Sequence, residues 1–196
     1  MNRVGFDNFT KCTGTPTRGG FMWLVVGFMV LVVTGCAGGP TGVGGDPDGA
    51  IGLYDSRAVA IAYVGSDHFK TWMKDLREEH DEAKAAGDQE RAKELWASAV
   101  TRQDQLHKQG FGTAPVDGLL LLIHAETEEI KNQTGVVFFV SKWDKKRLRR
   151  FSRARKVDVT MALVDAFKPD EKQRNSAIEI QRQKPVPLTE LEQHQD

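Results

Sequence analysis

Residues 66–109 most constrain what this chain can fold into. In "SDHFKTWMKDLREEHDEAKA", Phe69, Met73, Leu76, His80 and Ala83 recur at spacings of four, three, four and three, and lysines and acids fill the other positions. That heptad-like spacing predicts an amphipathic helix with a narrow apolar seam, and Ser66 is placed to cap it. The pattern breaks at "AAGD". Gly87 suits a left-handed helix end and Asp88 a new cap, so a second helix follows a tight turn. There Ala92, Leu95, Ala99 and Leu106 repeat the seam, and Trp96 and Val100 widen it. An antiparallel hairpin at about 66–109 is expected, each arm of about 20 residues reaching roughly 30 Å. Its alanine-rich seam limits the area it can bury.

Around the hairpin the pattern changes. Ile51–Tyr54 is a short apolar stretch suited to a strand, and Asp55 or Ser56 can cap a short helix carrying Val59, Ile61 and Ala62. After Gly110 a third helix is expected over about 115–133, with Pro115 in its first turn and Val116, Leu119, Leu120, Ile123, Thr127 and Ile130 along one side. "VVFFV", Val136–Val140, is an uninterrupted apolar run of the kind found in a central strand covered on both faces. Strands are thus expected near 51–54, 136–141 and 156–159, and a last helix, capped by Thr160, over about 160–167. The fold class is α+β: a small sheet, a projecting hairpin and additional packed helices. The polar residues 169–196 are expected to be a disordered tail.

The N-terminus sets the compartment. Arg3, Lys11 and Arg18 oppose a lone Asp7, and thirteen apolar residues, Phe21–Val33, follow. A helix of that length spans roughly 20 Å, short of the ~30 Å hydrocarbon core, so residues 1–35 are expected to be a signal peptide. Next comes Val33-Thr34-Gly35-Cys36, which resembles the lipobox of bacterial lipoproteins. The resemblance implies cleavage before Cys36, lipid on its sulfur and acylation of its new amino group. Ala37, in place of Asp, follows the outer-membrane pattern of that family, which favours the periplasmic face of the outer membrane over the inner. The chain's only other cysteine, Cys12, lies in the part to be removed, so no thiol would remain for a disulfide, a metal or a nucleophile. Residues 37–49 hold six glycines and two prolines and are expected to be a flexible tether. They lack the Gly-Lys-Ser/Thr ending of a phosphate loop.

No catalytic motif is visible. HExxH, CxxC, a nucleophile elbow and a P-loop are all missing from the sequence. His68, His80, His107 and His124 have no paired ligand spacing, so no metal and no cofactor is expected. Asp55 follows a strand, where a catalytic carboxylate could sit, but a helix cap explains it as well and is favoured. The formal net charge is zero, and with the export signal this disfavours nucleic acid as a partner. One charged segment stands out. "KKRLRRFSRARK" carries Lys145, Lys146, Arg147, Arg149, Arg150, Arg153, Arg155 and Lys156, eight basic residues in twelve. It reads either as a solvated loop or hairpin tip between two strands, or as a contact for anionic headgroups.

The order of strand, helical hairpin, helix, strand, strand and short helix resembles the Skp/OmpH family of periplasmic chaperones over about residues 50–168. The resemblance is carried by "AIGLYDSRAV", "GVVFFVSKWD" and "VDVTMALVDAF". It implies a trimer whose sheets form a body and whose hairpins enclose unfolded outer-membrane proteins, without catalysis. The short arms and the lipid anchor depart from that pattern. The expected role is a lipid-anchored holdase, or alternatively a structural adaptor for one folded envelope partner.

Overall fold

In a computed structural model, which describes residues 49–193, three short strands pair side by side. They are β1 (Ala50–Tyr54), β2 (Val136–Ser141) and β3 (Lys156–Asp158), in the order β2-β1-β3, and both pairings are parallel. Leu53 sits opposite Val140 on one side and Asp158 on the other. Parallel neighbours require crossovers, and helices supply them. Between β1 and β2 run α1 (Ser56–Val64), α2 (Asp67–Ala85), α3 (Gln89–Gly110), α4 (Asp117–Leu120), a 3-10 turn (Leu121–Ile123) and α5 (His124–Thr134). Between β2 and β3 runs α6 (Lys145–Arg150). After β3 come α7 (Thr160–Ala166), α8 (Glu171–Ile180) and α9 (Leu188–Gln193). The described chain is mixed helix and strand and mostly helical, with the three strands where the sequence places them.

Strand alternation divides the sheet's two faces. Ile51 and Leu53 of β1 join Phe138 and Val140 of β2 on one face, which Leu148, Phe151 and Ala154 cover. Phe151 lies against Phe138 with ring centroids 4.6 Å apart. The other face meets the main core, where Tyr54, Phe139 and Val157 pack with α1, the 116–130 segment and α7. Gly52 is central to this contact. A Cβ there would lie 2.7 Å from Phe139 Cδ1 and 3.0 Å from Val159 Cγ2, so the absence of a side chain lets the neighbours close over β1.

α1 is the hub of the helical layer. Ala58, Val59, Ala60, Ala62 and Tyr63 are all buried, and α3, α7 and α8 pack against it. Its small side chains allow that crowding. Local caps fall as the sequence predicts: Asp55 caps α1, Ser66 accepts from Phe69 N–H at the start of α2, and Asp88 accepts from Arg91 N–H at the start of α3. Gly87, at φ +75°, makes the left-handed turn between α2 and α3.

Several expectations are corrected. The central strand is β1, and "VVFFV" forms an edge strand with Val137 54% exposed. The basic segment is no hairpin tip, because β2 and β3 flank β1 and never pair; its first half is the helix α6. The third helix is broken by the 3-10 turn, which rotates Leu121 and Leu122 outward while Leu119 and Ile123 stay buried. Thr160 does not cap α7. It is the first helical residue, and its Oγ1 accepts from Asp55 N–H instead. Finally, the segment after Lys168, expected to be disordered, forms α8 and α9. Ala177 and Ile180 insert into the main core, and two inward side chains on a polar helix left little apolar periodicity to read.

Candidate functional site

A buried polar cluster lies where β1 ends. Asp55 is fully buried, as is Arg57. The Asp55 carboxylate accepts from Arg57 N–H, from Arg57 Nε (3.1 Å) and Nη2 (2.9 Å), and from the Trp143 indole N–H (3.0 Å). Lys142 Nζ approaches Oδ2 to 2.7 Å. Three segments distant in sequence meet there: the start of α1, the turn after β2, and the residues after α8, since Arg57 Nη2 also donates to Gln183 O. The Arg57 guanidinium stacks over the Trp143 ring at 4.8 Å. Burial pushes the Asp55 carboxyl up, but hydrogen bonds from Arg57, Lys142 and Trp143 and the charge of Arg57 outweigh it and hold it below the usual carboxylate value.

Such a carboxylate is poorly placed for chemistry. Its lone pairs are occupied and no solvent reaches it, so it has no free position from which to accept a substrate's proton. It acts as a cap and as the anchor of an ion-pair node. The sequence reveals the cap. The node's other half, Lys142 and Trp143, is invisible there, because nothing in a Lys-Trp pair after a strand announces a partner 88 residues away.

No family, curated protein or solved structure matches the chain.

The α2–α3 pair presents one candidate surface. Phe69, Trp72, Met73 and Leu106 join the main core at one end of these helices. Farther along, Leu76, Ala83, Ala92 and Leu95 form a small cluster of their own. Arg91 Nη2 reinforces it by donating to Glu79 at 2.8 Å. Arg102 fixes the other end, where it donates to Tyr63 Oη (3.0 Å) and lies over the Tyr63 ring. His80 is half-buried beside Asp81, at 3.4 Å. Trp96 and Val100, one turn apart on α3, are 42% and 43% exposed, so the wider stripe expected from the sequence faces solvent.

The basic segment presents a second surface. All eight of its cationic residues are exposed, and among the described residues none forms an ion pair with an acid. Asp144 caps α6 by accepting from Arg147 N–H. Leu148 and Phe151 turn inward to the sheet, which leaves the charges outward. Cys36, the expected lipid site, lies outside the described residues, as do the expected signal peptide and nearly all of the tether. Among the described residues no group of His, Cys, Asp and Glu is arranged to hold a metal ion, and no helix is long and apolar enough to cross a membrane.

Proposed function

We propose that this chain is a lipid-anchored, non-catalytic holdase of the bacterial envelope, in which α2 and α3 form a projecting antiparallel hairpin that contacts unfolded outer-membrane proteins. The observation that carries this reading is the separation of the Leu76–Ala83–Ala92–Leu95 cluster from the main core, with Trp96 and Val100 left exposed beside it. A stiff pair of helices with a thin seam and apolar side chains on its outer surface suits weak, repeated contact with unfolded chain. Such contact competes with aggregation without nucleotide or cofactor. The reading includes Cys36 lipidation, a periplasmic location and a homotrimer. The trimer is supported by the outer edge of β2, which pairs with no other strand among the described residues, and by Leu121, 74% exposed.

The test is aggregation of an unfolded β-barrel protein, followed by light scattering. The full chain in mild detergent suppresses it at near-stoichiometric ratio and sediments as a trimer. No suppression across several clients and salt concentrations overturns the holdase. An adaptor for one folded partner is the second reading, favoured by the small size of the Trp96–Val100 patch. Crosslinking that returns one folded protein at fixed stoichiometry selects it.

A further inference from the structure

The basic segment has a position as well as a charge. β3 begins at Lys156, opposite Ile51 in the parallel pairing with β1, and Ile51 N–H donates to Arg155 O at 2.8 Å. Arg155 also reaches toward the start of β2, with Nη2 3.9 Å from where a Cβ on Gly135 would lie. Residues 153–156 therefore rim the N-terminal end of the sheet. The chain enters the fold at that same end, through Gly49 and Ala50. α6 starts by the opposite end, after β2, and the chain then returns toward the N-terminal end, so that Phe151 packs against Phe138 with the rings tilted by 60°, and Arg149 and Arg150 come just before that contact in sequence.

We propose that this rim docks on the phosphate-bearing headgroups of an anionic lipid surface, with Arg149, Arg150, Arg153, Arg155 and Lys156 as the contacts. The inference rests on the lipid-anchor reading for its proximity: residues 37–49 span at most about 45 Å even when fully extended. A lipid on Cys36 makes docking intramolecular, at high effective concentration. Among the described residues these exposed charges have no carboxylate partner; Lys156 Nζ donates to Ser152 O at 3.2 Å, a neutral acceptor that a headgroup phosphate can outcompete. Leu148 and Phe151 are committed to the sheet and cannot wedge into acyl chains. Docking is therefore peripheral, electrostatic and sensitive to salt. Its consequence is orientation, because the sheet's entry end faces the membrane.

The test uses the full lipidated chain on vesicles of phosphatidylcholine alone or with a third of phosphatidylglycerol. Amine acylation is read by mass spectrometry at Lys156, with Lys74 of α2 and Lys93 of α3 as internal references. On anionic vesicles Lys156 labelling falls severalfold relative to the references, while on neutral vesicles it does not. About 0.5 M salt restores it. Each of Arg149→Gln, Arg150→Gln and Arg153→Gln weakens the docked state about fivefold, the equivalent of ~1 kcal/mol per basic residue. Equal Lys156 labelling on both vesicles, or an equal fall at Lys74 and Lys93, overturns the proposal. Failure of the anchor is read separately, as failure to float with neutral vesicles; docking then appears as flotation with anionic vesicles only.

Discussion

Trp143 donates its indole N–H to Asp55 Oδ1 over 3.0 Å, and so fastens the turn after β2 to the end of β1. The bond joins two adjacent strands where their ladder stops. Arg57, stacked on the same indole and paired with the same carboxylate, makes the junction a single unit.

Removing the carboxylate leaves a buried guanidinium without its counter-ion. Asp55→Ala is expected to lower unfolding free energy by about 3–5 kcal/mol, the range for breaking a fully buried pair. Trp143→Phe keeps most of the packing and loses one hydrogen bond to a charged acceptor, for about 1.5–3 kcal/mol. Denaturant midpoints of the two variants measure the difference.

Acid acts on the same node. The Asp55 carboxyl is held below its ordinary value in the folded state, so the unfolded chain binds more protons as pH falls. Its stabilisation is complete above the unfolded carboxyl's pKa of about 3.9 and is lost as pH drops through the lower folded value. Thermal midpoints taken from pH 6 downward should fall below about pH 4. Asp55→Asn should flatten that dependence while starting from a lower midpoint.

Two glycines should respond for different reasons. Gly52→Ala puts a methyl against the Phe139 ring and Val159 in the middle of the sheet, an overpacking expected to cost about 1–3 kcal/mol. Gly87→Ala meets no atom within 4 Å, but its φ of +75° should cost about 1–2 kcal/mol. Hydrogen exchange separates them: the first speeds opening of β1, the second only that of the α2–α3 turn.

Ile180→Ala tests the docking of α8. Ile180 is 7% exposed within the main core, and its truncation should cost about 2–5 kcal/mol. A disordered tail would give a change within about 0.5 kcal/mol.

What could be read from the sequence was local. The caps at Asp55, Ser66 and Asp88 and the turn at Gly87 depend on neighbouring residues, and all four lie where short-range chemistry puts them. Pairing was not legible. "VVFFV" has the same apolar run whether it is central or at an edge, and Gly52 at the heart of β1 carries no apolar signal at all. The Arg57–Asp55–Trp143 node depends on which strands become neighbours, and α8 is held by few inward residues. The charge run at 145–156 was visible, but its place beside the entry to β1 follows from the parallel pairing of β3.

In the proposed holdase, clients touch the outer surface of the α2–α3 pair. A photocrosslinking residue placed at Ala97, exposed on α3, is compared with one at Ala162 on α7 and one at Asn175 on α8, both also exposed. Crosslinks from position 97 to many unfolded outer-membrane proteins are expected, and few from the other two. Equal crosslinking from all three, or a single folded partner from position 97, would contradict the holdase.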